Sequence, residues 1–175
     1  MKRIIAILTV ALWVAAASAR DTEVSVSYGV SPAMAHIGMY HHDWEGMGGW
    51  GAVNASVDHR FADPLWVGLS YTYSSAESDH ASEGRYADVT YHGLMVNVRY
   101  EWLRRKAVTL YSHVGLGVIV SYYDPSWRDT FNRTRAAFQL SPVGVQYDVH
   151  RNIGLFAEAG YGMQGVAKVG LRVGF

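Results

Sequence analysis

Seven ionisable side chains, Asp58, Arg60, Arg99, Glu101, Glu158, Lys168 and Arg172, fall at alternating positions in stretches where every second residue is apolar. In extended chain a period of two puts them on one face and the apolar residues on the other. Acids and bases gathered this way could pass protons or ions along a channel, or neutralise one another in a packed interior. Buried charge is offset only when it is paired. Each acid of the set has a base nearby, so a salt-bridged plug is the expected arrangement. Folding the last hairpin about its loop centre sets Glu158 opposite Gly170, with Lys168 and Arg172 as diagonal neighbours.

Other residues suggest other chemistry. Met34, His36, Met39, His41, His42, Asp43 and Met47 mix thioether and imidazole donors suited to copper or zinc, with His36, His41, His42 and Asp43 as the candidate ligands. Their spacing matches no defined metal motif, and no cofactor is expected. Ser112 and His113 are adjacent, so a strand sends them to opposite faces and they form no catalytic dyad. His80, Ser82 and Glu83 share a segment that reads as a loop tip, where nothing fixes geometry or excludes water. Asn54-Ala55-Ser56 and Asn132-Arg133-Thr134 match the glycosylation acceptor pattern by chance. The chain has no cysteine, so disulfides and thiolate catalysis are both unavailable.

The elements that must position these groups are strands. Eight are legible, at roughly 23–30, 50–61, 65–73, 87–102, 108–120, 138–147, 155–161 and 166–175. The third is the clearest, with Leu65, Val67, Leu69, Tyr71 and Tyr73 alternating with Trp66, Gly68, Ser70 and Thr72. In the sixth, Phe138 and Leu140 are out of phase with Val143, Val145 and Tyr147, which predicts a bulge at Pro142. Connections after strands two, four and six are short. Those after one, three and five are long, at 31–49, 74–86 and 121–134, and 162–165 is a short exception. The last strand alternates Val169, Leu171, Val173 and Phe175 with Lys168, Gly170, Arg172 and Gly174. Its apolar face needs a cover, which a bilayer supplies to a closed barrel.

The N-terminus agrees with export. Lys2 and Arg3 precede an apolar run at 4–16, and Ala17-Ser18-Ala19 fits a cleavage site, so 1–19 is expected to be a signal peptide and 20–175 one domain. Losing Lys2 and Arg3 moves the chain from a formal net charge of 0 to two units negative, which argues against a nucleic-acid partner. Half the residues are apolar, yet Gly, Tyr and Trp are plentiful, as in barrels with one lipid face and one polar face.

Three segments, 155–162 (LFAEAGYG), 138–144 (FQLSPVG) and 169–175 (VGLRVGF), carry a resemblance over the whole mature chain. It resembles the small eight-stranded outer-membrane β-barrel families of Gram-negative bacteria, the outer membrane protein X-like or porin-like barrels. The resemblance implies an all-β, eight-stranded antiparallel transmembrane barrel of up-and-down topology, in contact with lipopolysaccharide. It also implies that Phe175 is the assembly signal read by the barrel-assembly machinery. Eight strands enclose a lumen that side chains can fill, so conduction is not expected. The expected role is a monomeric, non-enzymatic barrel whose outer loops present a surface to an extracellular ligand or support envelope integrity. A lipid A-modifying enzyme and a small porin are the alternatives. Tyr40, His41, His42 and Trp44 in the first long loop suit a binding surface. Tyr122, Tyr123 and Trp127 are expected in an interfacial aromatic girdle.

Overall fold

The computed structural model describes residues 21–33, 47–80, 85–125 and 129–175. Within them the chain forms eight strands: β1 (Thr22–Val30), β2 (Met47–Ala62), β3 (Leu65–His80), β4 (Arg85–Arg105), β5 (Val108–Pro125), β6 (Phe131–His150), β7 (Ile153–Gly162) and β8 (Ala167–Gly174). Each pairs antiparallel with the next, and β1 closes on β8 as an up-and-down barrel. Closure removes the sheet edges that hydrocarbon would leave unsatisfied.

Alternation along the strands sorts the side chains. Val26, Leu69, Leu94, Leu116, Leu140, Val169 and Leu171 point outward and are exposed, whereas Asn54, Ser70, Thr72, Asn97 and Gln139 line a buried interior. An apolar surface of this extent suits lipid. Aromatic rings border it at both ends. Toward the loops, Tyr28, Trp50, Tyr73, His92 and Tyr122 form an unbroken run from β1 to β5, with ring centroids 5.4 to 6.3 Å apart. Their polar edges are engaged: Trp50 Nε1 donates to Ser75 Oγ at 2.7 Å, and the Tyr71 hydroxyl meets His92 Nδ1 at 2.6 Å. Toward the chain termini, Phe61, Tyr100, Trp102, Tyr147 and Phe175 are exposed. The Tyr and Trp rings among these, each with one polar edge, suit the boundary between hydrocarbon and water.

The strands at the loop end outrun the sequence reading. The segment 74–86, expected as a loop, is largely ladder, paired from Ser74↔Tyr91 to His80↔Arg85. Similarly, β5 and β6 pair as far as Tyr123↔Phe131 within the expected loop 121–134, and β2 begins at Met47 within the expected loop 31–49. Beyond the aromatic belt the strand residues are small or polar, as in Ser74-Ser75-Ala76-Glu77-Ser78-Asp79. Hydrophobic alternation fades there while the ladder still satisfies the backbone, so polar strand reads like polar loop. The bulge at Pro142 is present: His113 pairs with Ser141, Tyr111 pairs with Gly144, and Ser112 Oγ donates to the Pro142 carbonyl at 2.6 Å. A further irregularity, between Glu101 and Leu103, has no marker in the sequence.

Candidate functional site

The half of the lumen nearest the termini is ionic. Arg99 Nη2 on β4 crosses to Glu23 Oε2 on β1 at 2.6 Å, and Arg172 Nε on β8 approaches the same oxygen at 3.4 Å. Arg99 Nη2 also lies 3.4 Å from Glu101 Oε1, while Arg104 Nε at the rim is 3.9 Å from Glu101 Oε2. Glu158 has three partners, with Lys168 Nζ at 3.0 Å, His113 Nδ1 at 3.1 Å and the donating Tyr111 hydroxyl at 3.0 Å. Lys168 Nζ also donates to Gln164 Oε1 at 2.6 Å, and Arg172 Nη1 donates to Gln146 Oε1. Asp58 accepts from the Ser56 hydroxyl at 2.7 Å, and among the described residues it has no base within ion-pair distance. Arg60 sits at the partly exposed rim, 3.6 Å from Asp21.

Aromatic rings separate the cations. Trp66 lies between Arg60 and Arg99, whose guanidinium carbons are 4.6 and 4.4 Å from its centroid. Tyr111 lies between Arg99 and Arg172 at 5.5 and 5.3 Å, and Phe156 between Arg172 and Lys168 at 4.5 and 5.8 Å. Arg99 Nε and Nη1 find no hydrogen-bond acceptor, and the flanking ring faces supply the compensating attraction. The Tyr111 ring is seated on Gly144, where a Cβ would come within 2.4 Å of its Cε2. The space left among these groups is about 20 Å³, room for about one water.

The register of the last hairpin differs from expectation. Glu158 faces Lys168 directly, Gly170 faces Phe156, and Arg172 faces Gly154 and pairs with Glu23 instead. The connection is not the symmetric loop that a fold about its centre assumes. The Gly160 N–H donates to the Val166 carbonyl at 2.8 Å, and Gly162 and Gly165 take φ values of +147° and +117°. Those glycine conformations turn Met163 and Gln164 into the barrel, each only 2% exposed.

That inward turn completes the other half of the lumen, which is apolar. Met163 packs with Ala52, Tyr91, Met95, Ile119 and Ala137. Gln164 caps the boundary between the halves. Its Nε2 donates to Ser70 Oγ at 3.0 Å, and its N–H donates to Gln139 Oε1 at 2.8 Å. Gln139 Nε2 returns to the Gly165 carbonyl at 3.2 Å.

The other candidate residues are dispersed. Ser112 and His113 lie on opposite faces, with the hydroxyl at the bulge and the imidazole in the lumen. His80 ends the β3 ladder opposite Arg85, and Ser82 and Glu83 lie outside the described residues. His36, His41, His42 and Asp43 also lie outside them, as do Met34, Met39, Tyr40, Trp44 and Trp127. Tyr122 joins the outer aromatic belt. Tyr123, expected beside it, is buried and stacks on Phe131 at 4.7 Å, because adjacent strand residues cannot share a face. Sequence reasoning left Glu23 out of the ionic set, although it is in phase with the inward Ser25 and Ser27. Tyr111, His113 and Phe156 share the inward parity of their strands, and parity supplies no neighbours across the lumen.

The pattern that defines the outer membrane protein beta-barrel domain matches residues 4–167. The chain belongs to this outer-membrane β-barrel family. No curated protein sequence matches it. Among solved structures, the outer-membrane barrel is similar to Neisserial surface protein A, at 14% identity and a TM-score of 0.55 over 88% of this chain and 96% of that one. It is similar also to the N-terminal β-barrel domain of Pseudomonas aeruginosa OprF, at 13% identity and a TM-score of 0.50 over 90% and 98%. A third is Ail of Yersinia pestis, solved with the heparin analogue sucrose octasulfate, at 14% identity and a TM-score of 0.48 over 87% and 93%. These likenesses show the fold alone. In barrels of this kind the short turns face the periplasm and the long hairpins face outward.

Proposed function

We propose that this outer-membrane barrel is non-catalytic and binds no cofactor, that its charged lumen is a structural plug, and that it acts through the surfaces it holds outside the cell. Binding of an extracellular ligand and support of envelope integrity are the roles this reading covers. The observation that carries it is the filled lumen, with the inward Met163–Gln164 segment above and the stacked cations and rings below. A supporting observation is that β3 and β4 stay paired from the aromatic belt to His80↔Arg85, roughly 20 Å further along the strands, which gives the outer segments a rigid stalk. The proposal extends to a cleaved signal peptide at 1–19 and a monomeric barrel domain at 20–175 in contact with lipopolysaccharide. It includes recognition of Phe175 by the barrel-assembly machinery.

In planar bilayers the purified protein should give negligible conductance. Reproducible single-channel steps would favour a small porin. Replacing residues 34–46 by a short Gly/Asn turn should leave a folded barrel and abolish extracellular binding, because β1 and β2 already pair from Thr22↔His59 to Gly29↔Ala52. Lipid A from expressing cells should keep its mass. Loss of an acyl chain that is reversed by His80→Ala or Ser82→Ala would make the protein an enzyme.

A further inference from the structure

The turns at the terminal end carry an uneven distribution of charge. Arg104, Arg105 and Lys106 are exposed where β4 turns into β5, and Arg151 is exposed where β6 turns into β7. These turns are neighbours, since the Asp148 N–H donates to the Ala107 carbonyl at 2.8 Å. Opposing charge is scarce along this arc. Arg104 Nε comes no closer than 3.9 Å to the buried Glu101 carboxylate, and Asp148, which accepts from the neutral Gln146 amide at 2.7 Å, keeps its charge but is one acid against four cations. Among the described residues, Arg105, Lys106 and Arg151 make no ion pair. On the opposite side of the rim, Arg60 is matched by Asp21.

Beside this arc the outer surface has a hollow of about 500 Å³ across β6, β7 and β8. Two cross-strand rows form it: Tyr147, Leu155 and Leu171 in the row nearer the turns, and Val145, Ala157 and Val169 in the next. The small side chain of Ala157 among larger neighbours makes the floor. Leu155 lies two residues beyond Ile153, which pairs with His150 at the turn that carries Arg151. A hydrocarbon chain seated on Ala157 therefore has its polar end at the cationic arc.

We propose that this surface binds one anionic glycerophospholipid from the leaflet on the terminal side. An acyl chain lies in the Ala157 hollow, and the phosphate lies against Arg105, Lys106 and Arg151. A zwitterionic phospholipid would fill the hollow equally well but would leave the net positive charge of the arc uncompensated. Clustered cations at a membrane surface select anionic lipid for that reason. The site is independent of whatever the outer segments bind.

The full barrel should be reconstituted in mixed phosphatidylglycerol and phosphatidylcholine vesicles, extracted in mild detergent and weighed by native mass spectrometry. The expected result is selective retention of one phosphatidylglycerol. The triple variant Arg105→Gln/Lys106→Gln/Arg151→Gln should lower that retention about tenfold while still running as a folded barrel on an unheated gel. A second variant, Ala157→Leu, should lower it by filling the hollow with every charge in place. Equal retention of the two lipids would overturn the proposal, as would phosphatidylglycerol retained by the triple variant. Barrel dimers in place of lipid adducts, lost with Ala157→Leu, would assign the hollow to a second copy of the chain.

Discussion

Replacing Arg99 by methionine should destabilise the refolded barrel by about 5 kcal/mol, the upper end of the range for breaking a buried ion pair. The side chain bridges two carboxylates, with Nη2 at 2.6 Å from Glu23 and 3.4 Å from Glu101, and it also lies over the Trp66 and Tyr111 rings. Methionine keeps the apolar stem and the approximate volume, so most of the loss is stranded charge rather than a cavity. Arg172 remains near Glu23, whereas Glu101 keeps only the distant, half-exposed Arg104. Urea unfolding in detergent micelles measures the effect, and adding Glu101→Gln should recover part of it. A loss below about 1 kcal/mol would mean that this half of the lumen is hydrated enough to behave like a surface.

The companion prediction concerns Glu158, with an expected loss of about 4 kcal/mol for Glu158→Gln. The amide keeps the shape and can still accept from Tyr111, but it leaves Lys168 without its counter-charge 3.0 Å away and puts a neutral group against His113. Lys168 retains Gln164 Oε1 at 2.6 Å, which makes the loss smaller than for Arg99. In a double-mutant cycle, Glu158→Gln with Lys168→Met should be more stable than the sum of the single effects, because both members of the direct pair are then gone. Simple additivity would show that the two residues are not coupled, against the cross-strand pairing.

The outward and inward faces were legible because a strand repeats every two residues and each face meets one environment. The bulge was legible because Pro142 sits where the phase changes. The ladder from Ser74 to His80 was hidden because its residues are small or polar throughout, so no apolar alternation marks it. The pairing of Glu158 was misjudged by two residues, because composition does not reveal that Met163 and Gln164 turn inward. Contacts across the lumen, such as β1 Glu23 with β4 Arg99, follow from barrel closure and strand stagger. Alternation along a single strand carries no trace of either.

The apolar packing around Met163 and Met95 insulates the ionic network from one of the two compartments the barrel separates. Glu23, Arg99 and Glu158 lie on the terminal side of that packing, behind the rim formed by Arg60 and Arg104. The stability of the charged interior should therefore respond to the ionic strength on the terminal side of the membrane and not to that on the loop side.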